Sequence, residues 1–223
     1  MGLIDDLIKE GWLKTPRIIE AFKKIKRIDF LPEDTKELAE VNGALPIGYG
    51  QTISQPLVVA FMLELLQPQE GDKILDVGSG SGWTSALLAE IVGTEGKVFA
   101  FEVVPELMEF GKTNVAKYNF IEKKIAEFIC ADGSKGYEKE APYDKILASA
   151  SAKAIPRAWK EQIIVEGRIV TPVDHSIYLL VKKTPSIAEA KEGKETEFEK
   201  TEHPGFVFVP LVTNNKNGNR RIK

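Results

Sequence analysis

The run Lys73-Ile74-Leu75-Asp76-Val77-Gly78-Ser79-Gly80-Ser81-Gly82-Trp83-Thr84-Ser85-Ala86-Leu87-Leu88-Ala89-Glu90-Ile91-Val92 decides the fold. Its first five residues are mostly apolar, the pattern of a strand buried in a parallel sheet. Its last ten carry apolar residues at helical spacing. Between them, alternate glycines let the backbone turn sharply and let a ligand approach with no Cβ in the way. A plain turn would tolerate the same glycines, so the weight falls on the next segment of the chain. Lys97-Val98-Phe99-Ala100-Phe101 reads as a second strand and ends on Glu102.

An acidic residue about 20 positions past such a loop is where nucleotide-binding α/β units hold the ribose hydroxyls. One carboxylate can accept both hydrogen bonds. A dinucleotide fits this loop poorly, because counting from Gly78 and Gly80 puts Trp83 where a small residue is needed for close helix–strand packing. Gly78, Ser79, Gly80, Ser81 and Gly82 suit S-adenosyl-L-methionine instead, which has no phosphate to cradle. Ile125–Cys130 reads as a further strand, with Ala131-Asp132-Gly133 at its end. Asp132 can accept from an adenine amino group, and Gly133 leaves space beside the ring. Contacts at the carboxyl ends of successive strands form the crevice that open α/β sheets use.

Upstream lies Ala44-Leu45-Pro46-Ile47-Gly48 with Gly50-Gln51-Thr52-Ile53-Ser54-Gln55-Pro56. Together with Ile74–Gly82, Asp132-Gly133, Pro142–Ile146, Gly167–Val173 and Phe208–Leu211, these pieces resemble the protein-L-isoaspartate O-methyltransferases. The resemblance covers roughly residues 3–212. The glycine loop is common to many methyltransferases, whereas the Gly-Gln-Thr-Ile-Ser-x-Pro segment is close to specific for this family. The resemblance implies methylation of the free carboxylate of L-isoaspartyl residues in damaged proteins, which initiates their repair. It implies Ser54 as the active-site residue, Thr52 and Ile53 folded over the cofactor, and Glu102 and Asp132 as ribose and adenine partners. The chain departs from the family pattern at Val41-Asn42-Gly43, where relatives often carry an acidic residue, at Ser149–Lys153 and at Ala131. The first two departures fall on the expected substrate side. A diverged methyltransferase acting on a small molecule, a modified peptide or RNA therefore stays open as an alternative. So does a binding module without catalysis, although Glu102, Asp132 and the loop glycines are intact.

Methyl transfer from a sulfonium to a carboxylate is an in-line displacement. The nucleophile is ionised near neutral pH, since a free carboxyl has a pKa of about 4, so no strong general base is needed. The two histidines, His175 and His203, fall in or near expected C-terminal strands and read as ordinary surface residues. Ser54, neutral and able to donate, suits a reaction in which charge is neutralised. It could equally cap the helix begun by Pro56.

The chain of 223 residues, 43% hydrophobic and 28% charged, can bury one α/β core. We expect a doubly wound, mostly parallel seven-stranded sheet with a C-terminal antiparallel hairpin and an N-terminal helical extension. We expect one domain, divided into a helical extension (1–40), a segment covering cofactor and substrate (41–57), the α/β core (58–212) and a polar, frayed tail (213–223). The hairpin strands are expected at Arg168–Pro172, Ile177–Val181 and Phe206–Leu211, with 185–204 partly an exposed charged loop. The one cysteine, Cys130, excludes an internal disulfide and reads as a small core residue. No metal is expected. Lys14, Arg17, Lys23, Lys24, Lys26 and Arg27 make the N-terminal helices basic, which reads as a solvated face. With a net charge of -3 and no interleaved aromatic stripe, nucleic acid is not the expected partner. No apolar run approaches a membrane span, and the acidic start lacks a secretory pattern. A cytoplasmic monomer acting on isoaspartyl proteins or peptides is the expectation.

Overall fold

The computed structural model describes residues 2–184 and 198–212. A seven-stranded sheet, in the order β5-β4-β3-β6-β7-β8-β9, forms its centre. The strands are β3 (Lys73–Val77), β4 (Lys97–Glu102), β5 (Ala126–Cys130), β6 (Tyr143–Ala148), β7 (Ile163–Val173), β8 (Ser176–Lys182) and β9 (Phe198–Pro204). Pairing is parallel from β5 through β7, then antiparallel from β7 to β9. The chain winds outward from β3 through β4 to β5, and then returns to the other side of β3 to place β6. This reversal of strand order opens a crevice at the carboxyl ends of β3 and β6, where open α/β sheets bind ligands.

Alternation along each strand sends successive side chains to opposite faces. Ile74, Val98, Leu147 and Val170 join the larger hydrophobic cluster, built with α1 (Leu3–Lys9), α2 (Pro16–Lys24), α3 (Pro56–Leu66), α4 (Trp83–Val92) and α5 (Pro105–Ala116). Leu75, Phe99, Phe101, Ile146 and Ile169 join the second, on the face covered by Trp159 of α6 (Arg157–Gln162). The N-terminal helices are integral to the first cluster: Leu7, Leu13, Ile18 and Phe22 are buried in it, and the Phe22 ring meets Trp83 edge-on at 5.6 Å. A two-stranded hairpin, β1 (Leu45–Gly48) and β2 (Gln51–Ile53), stands apart from the main sheet.

Three expectations need correction. Among the described residues the last strand is Phe198–Pro204, not Phe206–Leu211. β9 is an exposed edge whose residues are mostly polar, so hydrophobic patterning does not mark it. The more apolar stretch 206–211 runs extended outside the sheet, tied by Ser151 N to Val209 O and Leu211 N to Ser151 O, both 2.8 Å. Of the expected charged loop, 198–204 is therefore strand, while 185–197 lies outside the described residues, as does the tail beyond Val212. Cys130 is exposed rather than core, because it ends β5, the opposite edge of the sheet. Arg27 is not on a solvated face: it is only 6% exposed.

Among the described residues no helix is long and apolar enough to cross a membrane, and no group of His, Cys, Asp or Glu could hold a metal ion.

Candidate active site

The glycine loop lies between β3 and α4, with its backbone pinned to the neighbouring strand. Gly78 N and Ser79 N both donate to Phe101 O, at 2.8 and 3.0 Å. Gly78, Gly80 and Gly82 all have positive φ, which a side chain would strain. Gly82 has a packing role besides: a Cβ there would sit 2.7 Å from Gly111 O of α5. The third glycine of the loop thus lets α4 and α5 close on one another.

Glu102, at the carboxyl end of β4, organises the loop opposite it. Its Oε2 accepts from Gly80 N at 3.0 Å, and its Oε1 accepts from Val103 N and Val104 N at 2.8 and 3.0 Å. A carboxylate has about four acceptor positions, and three are taken, so one remains for a ligand hydroxyl. Asp132, at the end of β5, caps a short turn through Oδ1, which accepts from Ser134 N and Ser134 Oγ at 3.0 and 2.6 Å. Its neighbours Ala131 and Gly133 contribute to the crevice wall. Asp76 lies beneath the loop, fully buried, accepting from Ser85 Oγ at 2.5 Å through Oδ2, while Oδ1 has no partner. Burial raises its carboxyl from 3.8 to about 7; the Ser85 hydrogen bond opposes the shift and the Glu102 charge adds to it.

That shift has a testable sign. A carboxyl raised on folding contributes stability that is fully present below its unfolded pKa and is lost as pH rises through the folded one. For Asp76 the window runs from about 4 to about 7. Asp76→Asn removes the ionisation, so its thermal midpoint should gain on the parent by several degrees more at pH 8.5 than at pH 5. Each 1 kcal/mol corresponds to about 2–4 °C for a chain of this size. Calorimetric melts of both proteins at the two pH values measure this. A difference that is independent of pH, or that shrinks at pH 8.5, contradicts it.

Around the loop lies a crevice of about 730 Å³, mouth included, walled by Gly78–Ser81, Trp83, Phe101–Val104, Ala131 and Gly133. The lining suits an adenosine-bearing ligand: a carboxylate at a strand end, a glycine at the next, and apolar walls from Phe101 and Val104. The hairpin lies on this crevice from above. Ile47 Cδ1 is 3.2 Å from where a Cβ on Gly80 would be, and Gln51, Thr52, Ile53 and Ser54 line the cavity. The extended stretch Val209–Val212 closes another side.

A second pocket adjoins the first, lined by Ala44, Gln55, Val58, Val207 and Phe208. Thr52, Ser54, Ser149 and Val209 line both. Ser54 thus stands at the junction. Its hydroxyl is not needed to cap α3, whose N-cap residue is Gln55; Leu57 N donates instead to Asn42 Oδ1 at 3.1 Å. The structure therefore brings Thr52, Ile53, Ser54, Gly78, Ser79, Gly80, Ser81, Glu102 and Gly133 to one crevice. Gly82 and Asp132 abut it without lining it.

The comparison with protein families agrees with this architecture. The profile described as "Protein-L-isoaspartate(D-aspartate) O-methyltransferase (PCMT)" matches residues 1–216. This chain belongs to that family. A protein-L-isoaspartate O-methyltransferase of Methanopyrus kandleri is 40% identical over 213 residues, covering 94% of this chain and 89% of that protein. Protein-L-isoaspartate O-methyltransferase 2 of Archaeoglobus fulgidus is 48% identical over 195 residues, covering 87% and 84%. Among solved structures, a Plasmodium falciparum chain described as a candidate member of the family, in complex with S-adenosyl-L-homocysteine, superposes with a TM-score of 0.77. It is 20% identical and covers 95% of this chain and 97% of that one, so it attests the fold.

Ser149, which opens a stretch departing from the family pattern on the expected substrate side, follows β6 and lines both pockets. Other wall residues carry no such mark. Val103 and Val104 gain their place only because Glu102 folds back on their N–H groups. Arg27 had a weak signal: a charge that cannot be shed, set beside the apolar Ile25, Ile28 and Phe30. The histidines stay outside the site. His175 sits in the β7–β8 turn, and the His203 ring meets Phe61 edge-on at 5.1 Å.

Proposed function

We propose that the protein methylates the free carboxylate of L-isoaspartyl residues in damaged proteins or peptides, with S-adenosyl-L-methionine as donor. The observation that carries this reading is the junction at Ser54, where a crevice fit for the donor meets a pocket open to an acceptor. When bound, the donor supplies an electrophilic methyl group on a sulfonium. The chain's own residues supply placement. Glu102 takes a ribose hydroxyl, Asp132 and Gly133 flank the adenine, and the backbone of Gly78–Gly82 lies along the amino-acid end. Thr52 and Ile53 cover the donor. The Ser54 hydroxyl donates to one carboxylate oxygen of the acceptor and aims the other along the line of transfer.

The reaction needs geometry more than acid–base chemistry. Its nucleophile is already ionised, and holding two reactants aligned contributes up to about 7–11 kcal/mol. A strongly cationic acceptor pocket would favour the charged reactant over a transition state that has lost charge. A serine hydroxyl and the apolar Ala44, Val58 and Phe208 around it avoid that. This reading places the enzyme in the cytoplasm as a monomer, acting on protein and not on nucleic acid.

The decisive assay offers labelled donor to an isoaspartyl peptide and to its normal aspartyl twin. Base-labile label on the isoaspartyl peptide alone is expected. Equal labelling of both, or of neither while a small-molecule acceptor is methylated, contradicts the reading.

A further inference from the structure

We propose that Arg27 is a positioning residue for the acceptor side, its guanidinium gathering the carbonyls on either side of the hairpin so that the Ser54 hydroxyl is held at the junction. The inference rests on the acceptor-binding role proposed for Ser54.

Arg27 opens a short 3-10 turn after α2, at residues Arg27–Phe30. Its Nη1 donates to Ala39 O and Val41 O at 3.1 and 2.9 Å, and its Nη2 to Gly43 O and Ser54 O at 2.7 and 3.3 Å. Among the described residues it forms no ion pair within 4.0 Å. Burial lowers its pKa to about 10, against a smaller opposing influence from Glu40. A buried cation without a close counter-ion is a costly way to fill space, and an apolar side chain would pack more cheaply. What the guanidinium offers instead is a rigid planar fork that reaches several acceptors at fixed angles.

Those acceptors form two groups. Ala39, Val41 and Gly43 precede the hairpin, and Ser54 follows it. Arg27 therefore closes the base of a loop whose first strand, through Ile47, rests on Gly80. The guanidinium carbon also lies 5.5 Å from the centre of the Trp83 ring, and Trp83 lines the donor crevice. One side chain thus sets the distance between the donor wall and the acceptor segment. The Ser54 carbonyl it holds shares a residue with the hydroxyl at the junction, and a misplacement of about 1 Å can cost on the order of 100-fold in rate.

The test uses the full chain as parent, Arg27→Met, Arg27→Lys, Ser54→Ala and the Arg27→Met/Ser54→Ala double variant. Donor affinity is read by titration calorimetry with S-adenosyl-L-methionine, and kcat and KM with an isoaspartyl peptide. Arg27→Met should lower kcat/KM by about 10–100-fold and by no more than Ser54→Ala does, with the donor Kd within about threefold of the parent. Arg27→Lys, a point charge with three donors, should fall between. In the Ser54→Ala background, Arg27→Met should cost less than about threefold more, because the group it places is gone. Near-parental kcat/KM in Arg27→Met overturns the inference, as does equal loss of donor affinity or full multiplication of the two single effects. If Arg27→Met does not fold, Arg27→Lys and its double variant with Ser54→Ala decide by the same comparison. A fully active Ser54→Ala would instead defeat the Ser54 role itself, which separates the two failures.

Discussion

Ser54→Ala is expected to lower kcat/KM for an isoaspartyl peptide by about 10–100-fold while leaving S-adenosyl-L-methionine affinity within about threefold. A hydrogen bond to a charged group contributes about 1.5–3 kcal/mol, and each 1.36 kcal/mol is a factor of ten. The loss should divide between the two kinetic parameters. The acceptor oxygens carry most charge before transfer, so the hydrogen bond is strongest in the bound reactant and its removal raises KM. The alignment it enforces acts on kcat. Folding should be undisturbed, because α3 takes its cap from Asn42 and Arg27 holds the serine's carbonyl. Steady-state kinetics beside calorimetry measure both quantities. Undiminished turnover would remove Ser54 from the acceptor site.

Glu102→Ala should have the larger effect on donor binding, weakening it by at least about 100-fold. A ribose hydroxyl on the acceptor position left free represents about 1.5–3 kcal/mol at the same scale. The substitution also frees Gly80 N, Val103 N and Val104 N, so the glycine loop loses its fastening together with its ligand contact. Glu102→Gln separates the two components poorly. An amide has one acceptor oxygen, and its NH₂ group would face either Gly80 N or the pair Val103 N and Val104 N. It should therefore fall close to the alanine variant. Titration calorimetry on the folded variants reads the effect, and a Kd within threefold of the parent for Glu102→Ala would exclude the ribose role.

Most of the sheet was legible because its strands are buried. Lys73–Val77 and Lys97–Glu102 have neighbours on both sides, and their apolar runs report that directly. The glycine loop was legible for a related reason, since backbone conformations at positive φ leave their mark on composition. Edges were not. β9 pairs through its backbone with β8 while presenting Glu199, Lys200, Thr201 and Glu202 to solvent, so nothing in its side chains marks a strand. The apolar stretch 206–211 has the composition of a strand, but its apolar residues line the crevice mouth. Cys130 failed for the same reason as β9: an edge position halves the burial that a strand pattern implies.

The site divides along similar lines. The loop Gly78–Gly82 could be picked out from its spacing, and Ser54 from the family resemblance. Asp132 stands where position points to an adenine partner, and its Oδ1 caps the adjoining turn, a use that spacing does not reveal. Residues that act across long separations could not be found this way. Arg27 reaches carbonyls up to 27 positions away, and Ser149 joins Thr52 only because the crossover returns β6 beside β3. Those relations exist in the topology, not in any window of sequence.

Donor and acceptor should meet at Ser54, between the loop after β3 and the hairpin above it. A crystal of the protein grown with S-adenosyl-L-homocysteine and an isoaspartyl peptide puts this to the sharpest test. The expected electron density has the ribose on Glu102, the sulfur facing the Ser54 hydroxyl, and the peptide's free carboxylate within hydrogen-bonding distance of that hydroxyl. An adenosine lodged elsewhere, or a carboxylate bound on the far side of the hairpin from Ser54, would contradict it.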